Sequence, residues 1–166
     1  MHNLILIGLP ASGKTTVGQA LAQRLAMPFY DCDAAVEAAL GQSIASIFSQ
    51  YGEAFFRDEE SRMLSELCRK EGCVIATGGG AVLRAENRAL LRRSGVVFWL
   101  DRPLCDIMST NFQQGRPLLA EGAEALARLA AQRQALYAVC ACHRIREPLL
   151  DKVVEEIITI WRGEAI

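Results

Sequence analysis

Between Gly8 and Thr16 the chain reads GLPASGKTT, and Gly8-x-x-x-x-Gly13-Lys14-Thr15 within it has the composition of a loop that wraps phosphate groups. Glycines let a backbone curl until several N–H groups point inward, and a helix that follows adds the positive end of its dipole. In such a loop Lys14 reaches the β- and γ-phosphates of a nucleotide, and the Thr15 hydroxyl is a ligand for Mg²⁺. A glycine turn beside a surface lysine is the plainer alternative, and the flanks argue against it. Leu4 to Ile7 is a short apolar run with the pattern of a buried strand, and Val17, Leu21 and Leu25 recur at helical spacing. The expected nucleotide-binding residues are therefore Gly8, Ala11, Ser12 and Gly13, continued by Lys14, Thr15 and Thr16.

Other residues have types suited to the rest of a phosphoryl transfer. Asp31 and Asp33 bracket Cys32 at the end of a short apolar segment. In an extended stretch residues two apart point the same way, so both carboxylates are expected to face the phosphates. One would hold the water shell of a metal, and the other would bind or deprotonate a hydroxyl. The competing reading, that Asp33 caps a helix beginning at Ala34, is weakened by the position at a strand end. Thr77-Gly78-Gly79-Gly80 follows another apolar run, and three glycines exceed what a tight turn requires; they let backbone N–H groups approach a ligand. Arg57 and Glu60 lie three apart on one helical face, a spacing that by itself indicates an exposed ion pair. Arg116, between Gly115 and Pro117 in a polar stretch, is a candidate lid arginine that would steady charge on the transferring phosphoryl group. Arg133 alone carries no signal.

The elements that position these groups alternate between strand and helix patterns. Strands are expected at Leu4–Ile7, in MPFYDCD, in CVIATGGG and in VVFWLDRP, with a weak last one in CACHRI. Helices are expected from the phosphate loop to about residue 25, to about Leu40, over 43–48, over about 53–70, in ENRALLRRSG, from Pro103 to Met108, over 123–139 and over 149–161. STNFQQGRPLLAEG reads as a loop. Strands separated by helices imply an α/β fold with a parallel sheet covered on both faces. Ligands in such sheets bind at the carboxyl ends of the strands, where the phosphate loop, the two aspartates and the three glycines all fall.

The chain has 166 residues, which suits one domain, and about half are apolar, enough for a sizeable core. A net charge of −1 gives no broad footprint for nucleic acid. No apolar run approaches the length of a membrane helix, and the N-terminus enters a strand without the features of a signal peptide. The six cysteines include no C-x-x-C pair, and His2 and His143 are far apart, so a zinc site is not expected. Free thiols acting as small buried hydrophobes in a reducing, cytoplasmic setting fit better.

Taken together and in order, GLPASGKTTVG, DCD, GQSIASIF, GEAFFRDEE, ATGGGAVL, GRPLL and RQALY resemble the shikimate kinase family over nearly the whole length. The resemblance implies one three-layer P-loop kinase domain over residues 1–166, with a five-stranded parallel sheet in the order 2-3-1-4-5 between helices. It implies a shikimate-binding helical segment at about 33–62 and a mobile lid at about 110–122. The implied reaction moves the γ-phosphoryl group of ATP to the 3-hydroxyl of shikimate with Mg²⁺, in a monomer without nucleic-acid or membrane partners. Lys14 and Thr15 take the phosphate and Mg²⁺ positions, and Asp31 takes that of an acid near the metal, acting directly or through water. Asp33 falls on the acid that binds shikimate hydroxyls and acts as base, Arg57 and Arg133 on the carboxylate clamp, and Glu60 on an acid either beside the substrate or behind the residues that touch it. Gly78, Gly79 and Gly80 fall on backbone that contacts shikimate, and Arg116 on the lid arginine.

Two departures concern the base. The family usually carries an adenine-stacking arginine seven residues before the lid arginine, and here that position is Ser109, between Met108 and Thr110. Before the last helix, REPLLDK replaces the usual polar loop. Weaker or less base-selective nucleotide binding is the expectation. The main alternative is another small-metabolite kinase of the same fold, such as a gluconate-type kinase. A nucleoside monophosphate kinase would call for more lid arginines, and a regulatory GTPase would need D-x-x-G and N-K-x-D motifs, neither of which occurs.

Overall fold

The structure, a computed structural model, describes residues 2–112 and 122–164. Five parallel strands form one sheet: β1 (Asn3–Ile7), β2 (Phe29–Asp31), β3 (Val74–Ala76), β4 (Gly95–Leu100) and β5 (His143–Ile145), in the order β2-β3-β1-β4-β5. The helices are α1 (Lys14–Leu25), α2 (Cys32–Leu40), α3 (Ile44–Cys68), α4 (Ala85–Ser94), α5 (Leu104–Phe112), α6 (Gly122–Cys140) and α7 (Leu150–Glu164). The strand order and the alternation agree with expectation.

The central strand explains its own sequence. β1 pairs with β3 on one side and β4 on the other, and all five of its residues are buried. A strand covered on both faces has no place for polar alternation, hence the unbroken run Leu4–Ile7. Leu4 and Leu6 point to a core shared with Val17 and Leu21 of α1 and Val154, Ile157 and Trp161 of α7. Ile5 and Ile7 point to the opposite core, shared with Val36, Ile47, Phe56, Leu64 and Tyr137. Asn3 is buried yet satisfied: its amide donates to the Lys70 carbonyl across 2.7 Å, and its side-chain carbonyl accepts from the Cys73 backbone N–H across 3.1 Å. That pair fixes where β3 begins beside β1 and so sets the height of the Gly78–Gly80 turn.

Three local readings change. β2 stops at Asp31, and Cys32 and Asp33 already belong to α2, so the two aspartates do not share an extended strand. Asp31 is the cap: its Oδ1 accepts from the backbone N–H groups of Asp33 and Ala34 across 3.0 and 3.3 Å. The expected helices over 43–48 and 53–70 meet end to end in α3, broken only at Gly52, where φ is 81° and ψ is 172°. α5 runs on to Phe112, into the stretch read as loop. The rest of the expected lid, with Arg116, lies outside the described residues up to Gly122, where α6 begins. Of the cysteines, Cys32, Cys73 and Cys140 are buried as expected, whereas Cys105 and Cys142 are exposed.

Candidate active site

The carboxyl ends of β1, β2 and β3 open onto a cavity of about 1190 Å³. That exceeds the range usual for a single small ligand and leaves room for two substrates side by side. Ala11, Ser12, Gly13, Lys14, Thr15 and Thr16 line it, as do Asp31, Asp33, Arg57, Glu60, Gly78, Gly79, Gly80 and Arg133. Every expected site residue within the described part lines this cavity except Gly8, whose carbonyl serves the loop from beneath.

The phosphate loop is shaped by its own backbone. Gly13 caps α1 at φ 93°, a left-handed conformation that a side chain would resist. The Lys14 ammonium is buried and lies back over the loop, donating to the carbonyls of Gly8 and Leu9 across 3.0 and 2.7 Å. It thus presents a desolvated positive charge at the N-terminus of α1, where phosphate oxygens can replace carbonyl oxygens as acceptors. Thr15 donates through its hydroxyl to Oδ2 of Asp31 across 2.6 Å. These two oxygen donors, one from each side of the loop, fit Mg²⁺, which takes one or two protein oxygens and completes its shell with water and phosphate. Among the described residues there is no cluster of three or more histidine, cysteine or acidic side chains that would hold a metal by itself.

The acceptor side is built from acids and arginines around glycine. A β-carbon on Gly78 would lie 2.5 Å from both Oδ1 of Asp33 and Oε1 of Glu60, so the two carboxylates converge on one point above the turn. Neither of those oxygens has a hydrogen-bond partner. Burial, and next the charge of Glu60, push the Asp33 carboxyl up to about 6, while Lys14 and Arg57 pull it the other way. A β-carbon on Gly80 would collide with the Arg57 guanidinium. Arg57 is fixed by Glu60, 2.8 Å away, and by Glu53, which accepts from its Nε and Nη2 across 3.2 Å each. The Arg57–Glu60 pair, read from spacing as an exposed one, is therefore buried on the Glu60 side, at 1% exposure. Its neighbours hold the Arg57 cation above its ordinary range against the cost of burial. Arg133 arrives from α6, buried, with its Nε unpartnered.

The geometry separates Asp31, turned to Thr15, from Asp33, turned to Glu60 and Gly78. The two carboxylates face different neighbours because a helix starts between them, not because they share an extended strand. Glu53 and Tyr137 were not anticipated, although each sits one helical turn from an arginine of the site and that spacing could have shown them. On the nucleotide side the cavity is walled by Leu100, Ile145, Pro148, Leu150 and Val153. For Pro148 and Leu150 the signal is the apolar character of PLL after the last strand. Ser109 turns its hydroxyl to the Asp106 carbonyl of its own helix, 3.0 Å away, and does not line the cavity.

The shikimate kinase family model matches residues 10–161. A shikimate kinase of Symbiobacterium thermophilum is 46% identical over 162 residues, covering 92% of each chain. One of Ralstonia nicotianae is 43% identical over 159 residues, covering 95% of this chain and 78% of its own. Among solved structures, a shikimate kinase from Acinetobacter baumannii in complex with shikimate superposes with a TM-score of 0.92 at 33% identity, covering 99% of this chain and 94% of that one. A five-stranded parallel sheet in the order 2-3-1-4-5, a phosphate loop facing an acid-and-arginine pocket, and relatives of this similarity over most of the length lead to one conclusion: the chain belongs to the shikimate kinase family, ATP-dependent kinases that act on an alcohol.

Proposed function

We propose that this chain transfers the γ-phosphoryl group of ATP to the 3-hydroxyl of shikimate, giving shikimate 3-phosphate and ADP, with the site residues in the following roles. The observation that carries this reading is the convergence of Asp33 Oδ1 and Glu60 Oε1 above Gly78, in the cavity that also holds Lys14, Arg57 and Arg133. Two neighbouring hydroxyls placed there would each donate to one of the unpartnered oxygens, which is what a polyol ring offers and a phosphate does not. Arg57 and Arg133 would hold a carboxylate, for which planar guanidinium groups are suited. The acceptor thus has to be a hydroxylated acid, and shikimate is one.

Asp33 takes the proton of the acceptor hydroxyl on its Oδ1 as the hydroxyl oxygen bonds to the γ-phosphorus, and the bond from phosphorus to the bridging β,γ-oxygen breaks to release ADP. Lys14 steadies the charge that gathers on the phosphates, from a position where it also favours the ionised form of Asp33. Thr15 directly, and Asp31 directly or through water, would hold Mg²⁺, which when bound neutralises the phosphate oxygens. Gly78, Gly79 and Gly80 bring their backbone close to the acceptor, Gly8 to Gly13 cradle the phosphates, and Arg116, outside the described residues, would steady charge on the transferring group. The described site residues line a single cavity, so the reading calls for no residue from a second subunit, and free cysteines fit a reducing, cytoplasmic setting. Among the described residues no helix is long and apolar enough to cross a membrane.

The test is the identity of the product. A phosphorus–proton NMR correlation after incubation with ATP, Mg²⁺ and shikimate is expected to place the phosphate on the carbon bearing the 3-hydroxyl. Phosphate on another hydroxyl, or on gluconate in a parallel incubation, would overturn the acceptor assignment.

A further inference from the structure

Tyr137 has no part in the transfer described above, yet its hydroxyl is committed to the acceptor floor. It donates to the carbonyl of Gly79 across 2.6 Å, a short bond between residues far apart in the chain. The ring is 1% exposed and stacks on Trp99 of β4 with centroids 5.7 Å apart, so the hydroxyl has little freedom to point elsewhere. Arg133 lies one turn earlier on the same face of α6, and its charge favours ionisation of this hydroxyl, against the larger effect of burial. Burial pushes the phenol up to about 12, so it remains a donor at any working pH.

Gly79 is the middle of the turn that carries both contacts to the acceptor acids and to the phosphate loop. A β-carbon on Gly79 would lie 2.7 Å from Cδ of Pro10, so its backbone already rests on the loop that holds the donor. Gly78 on one side faces Asp33 and Glu60, and Gly80 on the other faces Arg57. The turn has few bonds of its own: Ala81 N–H to Gly78 carbonyl at 3.2 Å, and Leu83 N–H to Gly80 carbonyl at 3.0 Å. Three successive glycines leave it otherwise free to rotate its peptides.

We propose that Tyr137 is a positioning residue for the acceptor: by holding the Gly79 carbonyl it fixes the Gly78–Gly80 turn against Pro10 and ties the Arg133 clamp to that turn. The inference deepens the reading of this turn as the shikimate floor and rests on it for the kinetic part. Tyr137 does not line the cavity and acts through Gly79 and Arg133.

The experiment uses the full chain with Tyr137→Phe, which keeps the stacked ring and removes only the hydroxyl. The expected result is a KM for shikimate raised by about tenfold or more, with KM for ATP within about twofold of wild type. Backbone amide exchange, measured without any substrate, is expected to speed up about tenfold at Ala81 and Leu83 while Leu4 of β1 stays unchanged. If exchange at Ala81 and Leu83 is unchanged, or if Leu4 speeds up equally, the positioning role is wrong. The same holds if both KM values shift together. Because the exchange arm needs no turnover, it decides the role of Tyr137 even where wild-type activity toward shikimate is absent, an outcome that would sink the acceptor assignment instead.

Discussion

The Thr15 hydroxyl donates to Oδ2 of Asp31 across 2.6 Å, joining the first turn of α1 to the end of β2. The other oxygen of Asp31 caps α2, so one carboxylate serves both the fold and the phosphate site. Asp31→Ala should therefore show two separable effects. Loss of the cap costs about 1 kcal/mol of stability, read by denaturant unfolding without ligands. Loss of the oxygen beside Thr15 raises the Mg²⁺ concentration needed for half-maximal activity by about tenfold or more. Asp31→Asn should recover most of the stability and little of the Mg²⁺ response, because an amide oxygen still caps but carries no charge.

Asp33 should behave in the opposite sense. Its carboxyl is held at about 6, above the ordinary 3.8, by burial and by Glu60. The folded state therefore binds that proton more tightly than the unfolded chain, and ionisation weakens the fold as pH rises through about 6. Asp33→Asn stays neutral and can donate to the unpartnered Oε1 of Glu60. At about pH 8, without ligands, it should be more stable than wild type by up to about 3 kcal/mol, the gain fading as pH falls to about 4. Turnover should fall by at least about a hundredfold. Full activity in this variant would remove Asp33 from the role of base.

The two clamp arginines should separate by stability. Arg57→Ala leaves the Glu60 carboxylate buried without its 2.8 Å partner, and about 3–5 kcal/mol of stability is expected to go with it. Arg133 has an unpartnered Nε and no ion pair among the described residues, so Arg133→Lys should unfold close to wild type. Its KM for shikimate should rise by about 10- to 100-fold, the worth of a charge-assisted hydrogen bond, with KM for ATP nearly unchanged. Equal stability losses in the two variants would contradict this division.

The nucleotide end offers an apolar wall and no arginine at Ser109. Stacking on apolar side chains is tolerant of the base, so saturation curves with ATP and GTP should give KM values within about tenfold of each other. A strong ATP preference with tight binding would show that the segment around Glu147 reads the base instead.

What the sequence discloses and what it hides follow from how local each signal is. Leu4–Ile7, Gly8, Gly13 and Lys14 lie in one continuous stretch whose strand–loop–helix context is complete, so the phosphate loop was legible to the residue. The sheet order came from the resemblance, because no local pattern tells β3 that it will lie between β2 and β1. Asp31 and Asp33 are legible as site residues but not as to element, since either aspartate can cap a helix and nothing local to DCD says that Asp31 does. The burial of Glu60 and its meeting with Asp33 depend on residues 27 positions apart closing over Gly78, which spacing on one helix cannot show. The spacing of Tyr137 from Arg133 marks it as a neighbour of the site, but its bond to Gly79, 58 positions away, is beyond any local pattern.

The central claim is that one rim brings a phosphate donor to a hydroxylated acid held by Asp33, Glu60, Arg57 and Arg133. Its most direct test is ADP release with ATP and Mg²⁺ in the presence of shikimate, gluconate, a nucleoside monophosphate or no acceptor. The account predicts release that depends on shikimate and stays at background with the others. Release driven by another acceptor, or equally fast with none, would contradict it.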